Sequence, residues 1–341
     1  MADHEKPKTI LITGCNSGIG LAAAKILHMT NPRHRLLLVA RNAEKASETC
    51  LEVAKSAYES ENYDSEILIP MVCDHSSLKS VEQFAQDIRV FMTSADNAAP
   101  AGSVKGIDVV CLNAAVVTSQ TPEKTVDGFD LTFQTNHLAP FVILHRIIDL
   151  INPGGRIVVT ASSLHRKSSY GEFKGIIRAD GTVTHDFEMI DGSKFDFHKA
   201  YSTSKLCNVS VTMELNRRLE ERSRDIVANC FSPGLMTQSG LFRNQNKWLM
   251  PFFSLAANSL FRFGDTVEWG AGCLAWMALA DKTGEKGGQY WSAPKGASLR
   301  GVTTYESFLP EPIGEEASNV ESQKMLWKLT AELSQISPDA I

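Results

Sequence analysis

The seven cysteines, at 15, 50, 73, 111, 207, 230 and 273, include no Cys-x-x-Cys pair, and several stand inside apolar runs. That pattern offers no metal site and no dithiol motif, and it predicts buried free thiols in a reducing compartment. Basic excess is also missing: 34 lysines and arginines against 39 aspartates and glutamates leave a net charge of −5, which argues against nucleic acid as a partner. No stretch of roughly 18 uninterrupted apolar residues occurs, so no membrane-spanning helix is predicted. The polar start, Met1-Ala2-Asp3-His4-Glu5-Lys6-Pro7-Lys8, lacks the apolar run of a secretory signal. Internal repeats and low-complexity blocks are absent. What remains is a 341-residue chain, 43% hydrophobic and 21% charged, with an ordinary globular composition and length enough for a large core.

One stretch organises the rest: Thr9-Ile10-Leu11-Ile12-Thr13-Gly14-Cys15-Asn16-Ser17-Gly18-Ile19-Gly20. The run Ile10 to Ile12 fits an inner parallel strand covered on both faces. Gly14, Gly18 and Gly20 permit a tight turn, close approach of the backbone to a phosphate, and close packing of the next helix. The free N–H groups around Asn16, Ser17, Gly18 and Ile19 would hold a pyrophosphate. An ordinary strand–helix turn can carry the same glycines. The context favours the cofactor site, because a helix from about Ile19 to Met29 and a second strand at Arg35 to Ala40 complete the unit. Arg41 follows Gly20 by 21 residues, where such units read the adenosine ribose. An acid there favours NAD and an arginine suits the 2′-phosphate of NADP, so NADPH is the expected cofactor, with a solvated surface arginine as the plain alternative.

Strand and helix alternate onward. Residues 66–73 form a third strand, interrupted by Pro70 and ending in Asp74-His75, where ligands gather. A fourth strand, 106–112, ends in Asn113-Ala114-Ala115, small enough for a cofactor ring to approach the backbone. One long helix, 129–151, carries Asn136-His137, and a fifth strand, 155–161, ends in Ser162-Ser163. Leu164 to Phe197 is polar and aperiodic and reads as an insertion over the active site. A helix over 198–222 and a strand over 225–231 lead to Ser232-Pro233-Gly234. Trp248 to Phe263 is aromatic and apolar: buried core, or a lid lining an apolar pocket or resting on a membrane surface. A helix at 265–279, a short strand at 288–291 and a tail helix at 315–333 finish the chain. The pattern predicts an α/β doubly wound parallel sheet. It forms a single domain over 1–341, with a core of about 8–300, an insertion at 164–197, a helical lid and a tail at 301–341.

Tyr201 and Lys205 are four apart on a predicted helix and share a face. A lysine ammonium and a cationic nicotinamide beside the phenol would favour the phenolate, making Tyr201 a proton donor or acceptor. Ser163, or the adjacent Ser162, could hydrogen-bond the reacting oxygen, and Asn136 could anchor a water relaying protons to Lys205. A Tyr–Lys pair at this spacing is also common on exposed helices.

In this order, Thr13-Gly14-x3-Gly18-x-Gly20, Asn113-Ala114-Ala115, Asn136, Ser163, Tyr201-x3-Lys205 and Pro233-Gly234 resemble the short-chain dehydrogenase/reductase superfamily, over roughly residues 8–300. The resemblance implies a Rossmann-type fold, Tyr201 and Lys205 as the proton-transfer pair, and Pro233-Gly234 beside the nicotinamide. A narrower resemblance rests on Met189 to Asp196, Ser204-Lys205-Leu206-Cys207-Asn208, Gly240-Leu241-Phe242-Arg243, Gly288 to Ser292 and the tail with Trp327. These are similar to the light-dependent protochlorophyllide oxidoreductases, which implies hydride from NADPH to a ring double bond of a tetrapyrrole, and a plastid location; otherwise the cytoplasm is expected. The chain departs from that family at Ser232 and Leu235, where Tyr-Pro-Gly-Cys is common. Asn136-His137-Leu138 is equally similar to retinol-dehydrogenase-like members. The expected substrate is thus bulky and hydrophobic, a tetrapyrrole or a lipophilic carbonyl. A light-independent carbonyl reductase or alcohol dehydrogenase and a non-catalytic NADPH- or pigment-binding protein are the alternatives. A peripheral membrane contact and an oligomer both stay open.

Overall fold

The computed structural model describes residues 6–57, 63–94, 105–118, 121–168, 197–234, 265–294, 297 and 305–341. The expected lid at 248–263, Leu235, the 240–243 motif and most of the insertion lie outside them.

The described residues contain β1 (Thr9–Thr13), α1 (Gly18–Thr30), β2 (Arg35–Ala40), α2 (Ala43–Ala57), β3 (Leu68–Val72), α3 (Leu78–Thr93) and β4 (Ile107–Leu112). Then come α4 (Leu131–Phe133), a π turn (Gln134–Leu138), α5 (Ala139–Ile147), β5 (Ile151–Thr160), a 3-10 helix (Ser163–Lys167), α6 (Phe197–Glu221) and β6 (Ile226–Phe231). The chain closes with α7 (Val267–Leu279), α8 (Asp281–Gly284), β7 (Tyr290–Ser292), β8 (Leu309–Pro310), α9 (Glu315–Ser318) and α10 (Val320–Leu333). The strands make one sheet in the order β3-β2-β1-β4-β5-β6-β7-β8. All pairs are parallel except the last, which is antiparallel.

Both faces of the sheet are covered, and β1 shows how. Its side chains alternate across the pleat. Leu11 joins a core with Phe84 of α3, Phe141 of α5 and Leu206 of α6. Ile10 and Ile12 join the opposite core with Leu27 of α1 and Leu274 of α7. The chain starts mid-sheet, winds out to β3, then returns past β1 to β4, so the order reverses between β1 and β4. In open α/β sheets a crevice forms at that reversal, at the carboxyl ends of the strands.

Several elements differ from the expectation. The helix predicted over 129–151 is broken. Asp130 caps its first turn by accepting from Phe133 N at 2.8 Å. Pro140 has no N–H to give the Asn136 carbonyl, so the α-helical ladder cannot run through that point, and the backbone widens into the π turn. The tail helix splits because Asn319 leaves helical geometry and caps the second piece, accepting from Ser322 N at 3.0 Å. The first residues of the predicted insertion form the 3-10 helix instead of irregular chain. Strand β8 has no pattern in the sequence: it is two residues long and ends in proline, which an edge tolerates. The tail helices pack into the main core, with Trp327 edge-on to Phe141 at 4.9 Å and under Arg218 at 4.6 Å. All seven cysteines are free and buried. No helix among the described residues is long and apolar enough to cross a membrane.

Candidate active site

The crevice at the sheet reversal is a cavity of about 860 Å³ that runs from the glycine turn to Tyr201 and Lys205. Its floor is stitched by Thr13. The buried Thr13 hydroxyl accepts from Asn113 N and from Ala114 N, both at 3.0 Å, and so locks the end of β4 to the end of β1. The close fit explains Gly14. It has φ +66°, and a Cβ there would come within 2.6 Å of Ala114 Cα. Gly18 also has a positive φ, +56°, but a Cβ there would meet open space. Its backbone thus faces the cavity uncovered, beside Asn16, Ser17 and Ile19. Ser17 makes no side-chain cap on α1, which leaves that helix start with donors to offer an anion. Arg41, exposed at the end of β2, and Asp74, after β3, line the same end. Asp74 Oδ1 accepts from Ser76 N at 2.9 Å, which fixes its carboxylate. Pro233 and Gly234 line the cavity after β6.

At the other end, α6 brings Tyr201 and Lys205 to the wall together. Lys205 is 1% exposed, its Nζ donates to Thr160 O at 2.8 Å, and it sits 5.6 Å from the centre of the Tyr201 ring. Burial pushes its ammonium down to about 7. Burial also pushes the Tyr201 phenol well above its ordinary value. Among the protein's own groups, burial favours the protonated phenol, while Lys205 turns its Nζ to Thr160 O on β5.

The two serines are separated by the structure. Ser162 Oγ accepts from Leu164 N at 3.2 Å and caps the 3-10 helix. The Ser163 hydroxyl has no partner among the described residues and lines the cavity, while its backbone N–H donates to Ser232 Oγ at 3.1 Å. The Asn136 side chain joins two parts of the wall. Its Oδ1 accepts from Val116 N at 2.7 Å, and its Nδ2 donates to Val116 O at 2.9 Å and to Ser204 Oγ at 3.1 Å. It clamps the chain leaving β4 to the helix that carries Tyr201. Thr13 and Ser232 also hold the site, and nothing local in the sequence identifies their partners.

A family model described as short chain dehydrogenase matches residues 8–173. The chloroplastic protochlorophyllide reductase of Daucus carota is 30% identical over 342 residues, covering 95% of this chain and 77% of that protein. Among solved structures, a short-chain type dehydrogenase/reductase from Mycobacterium marinum superposes with a TM-score of 0.58 at 20% identity, covering 86% of this chain and 95% of the other. The landomycin C-6 ketoreductase, solved with bound NADP and rabelomycin, gives 0.58 at 20% identity, covering 87% and 98%. Likeness along nearly the whole chain joins a sheet that reverses beside its glycine turn, and the protein therefore belongs to the short-chain dehydrogenase family: it is an oxidoreductase that works with a nicotinamide cofactor and is homologous to protochlorophyllide reductase.

Proposed function

We propose that the protein is an NADPH-dependent reductase of a bulky hydrophobic substrate, with protochlorophyllide the leading example. The observation that carries this reading is one continuous cavity lined by Gly18, whose backbone is open on that side, and by Tyr201, Lys205 and Ser163. The residues present fit the cofactor. Gly18, with Asn16, Ser17 and Ile19 beside it, offers uncovered backbone and a helix start for the pyrophosphate, while Gly14 and Gly20 let the turn pack closely on Ala114 and Asn113, and Arg41 offers a charge for the 2′-phosphate. Asp74, Asn113 and Ala114 line its path, and Pro233-Gly234 face the reactive end. When bound, NADPH supplies the hydride. Tyr201 supplies the proton; Lys205, held on Thr160 O, tunes it, and Ser163 orients the substrate oxygen or the group next to it. Asn136 acts by position, holding Val116 and Ser204 in register.

Arg41→Ala is expected to weaken NADPH binding by roughly ten- to a hundredfold, the worth of a charge-assisted hydrogen bond. NADH binding should stay nearly constant. Equal loss for both cofactors in a fluorescence titration would remove Arg41 from 2′-phosphate recognition.

The reading as a whole is tested by mixing the protein with NADPH and protochlorophyllide in the dark and recording absorption before and after a light pulse. Conversion only after light supports pigment reduction. Leu235, where related enzymes commonly carry cysteine, favours a second reading, a light-independent reductase of lipophilic aldehydes and ketones, because leucine cannot donate a proton. NADPH consumption in the dark with such substrates supports that reading. Tight NADPH binding with no turnover of either class supports a carrier. The chloroplastic relatives support a plastid location.

A further inference from the structure

The serine turn has a second side. His165, on the 3-10 helix two residues past Ser163, is fully buried. Its Nε2 accepts from Gly314 N at 3.0 Å, and its Nδ1 lies 2.7 Å from Ser162 O. A backbone N–H can only donate, so Nε2 carries the lone pair and Nδ1 carries the proton. One neutral tautomer thus joins a carbonyl of the serine turn to an amide 149 residues away. Neighbouring contacts run along the same seam. Arg166 Nη2 pairs with Glu311 Oε2 and donates to Pro312 O, both at 2.8 Å. Glu311 N donates to Tyr290 O at 2.8 Å, and the Tyr290 ring stands edge-on to His165 at 4.7 Å. Ser163, Arg166 and Glu311 all line the cavity, so this seam joins two of its walls.

We propose that His165 is a positioning residue for Ser163: it fastens the serine turn to the segment 311–314, so that these two walls of the cavity hold one geometry. The proposal rests on the assignment of Ser163 to the substrate. Its physical basis is that a misplacement of about 1 Å in a positioning group costs on the order of 10²-fold in rate.

His165→Gln and His165→Asn separate this role from packing. A Gln carbonyl reaches the place of Nε2 and can still accept from Gly314 N. An Asn amide reaches only the place of Nδ1, so it keeps the bond to Ser162 O and releases the tail. In the full chain with NADPH, His165→Asn is expected to raise amide hydrogen exchange over 309–314 by about tenfold or more. It should also lower kcat by about ten- to a hundredfold, while NADPH affinity stays within roughly twofold. His165→Gln should restore most of both. Wild-type exchange and kcat in His165→Asn, or equal losses in both variants, would overturn the proposal. If the wild type turns over neither pigment nor carbonyl, the functional reading fails separately. Exchange over 162–168 and 309–314 then decides: protection kept in Gln and lost in Asn supports the link, and equal loss defeats it.

Discussion

Tyr201→Phe is expected to lower turnover by about 10²- to 10⁴-fold, the usual worth of a positioned proton donor, with NADPH affinity and thermal stability nearly unchanged. The phenol faces the cavity and makes no hydrogen bond with the described residues, so deleting its oxygen orphans no buried group. The ring stays to pack on α6. Lys205 stays on Thr160 O. This separation of chemistry from folding is what makes the variant informative: steady-state turnover, a cofactor titration and a melting curve on one preparation suffice. Retention of more than about a tenth of wild-type turnover would remove Tyr201 from the proton step.

Lys205→Met is expected to change how stability depends on pH. Burial holds the folded ammonium at about 7, down from 10.5, so between those values the unfolded chain binds one proton that the folded chain does not. Stability from this group therefore rises with pH, and its penalty is greatest at pH values below 7. Relative to Lys205→Met, the wild type should gain about 2 kcal/mol between pH 6.5 and 8.5. The comparison must be differential. Burial raises the folded thiols, for example Cys111 to about 12, and thiols of the unfolded chain begin to ionise near the top of that range, which lowers stability with the opposite sign. Both proteins carry the same seven thiols, so that contribution cancels in the difference. Urea midpoints under reducing conditions at four pH values would measure it, and parallel curves would show that Lys205 titrates as an ordinary exposed lysine. The same substitution is expected to abolish most turnover, because methionine can neither hold nor pass a proton.

The parts of the site that were legible in the sequence are those set by short-range rules. Thr9 to Gly20 announce themselves because an apolar strand, glycines and a helix start lie next to one another in the chain. Tyr201 and Lys205 share a wall because four residues are about one helical turn. Arg41 and Asp74 follow from where strands end. The long helix predicted over 129–151 breaks for an equally local reason: the apolar period continues through Pro140, and that pattern does not register that one missing N–H breaks the ladder and places the π turn on Asn136.

The sequence by itself determined the alternation of strand and helix, the glycine turn after β1 and the pairing of Tyr201 with Lys205, since periodicity and backbone freedom act within a few residues. Only the tertiary structure decided which serine hydroxyl is used as a cap and which, among the described residues, is left to the cavity, and that Asn136 is a clamp on Val116 and Ser204. It also showed that Lys205 bonds Thr160 O, and that His165 reaches Gly314. Each of these depends on which groups burial brings together across the sheet, and on which of them must then be satisfied by a partner far away in the chain. A buried donor takes the acceptor that folding places beside it, and no spacing in the sequence names that acceptor in advance.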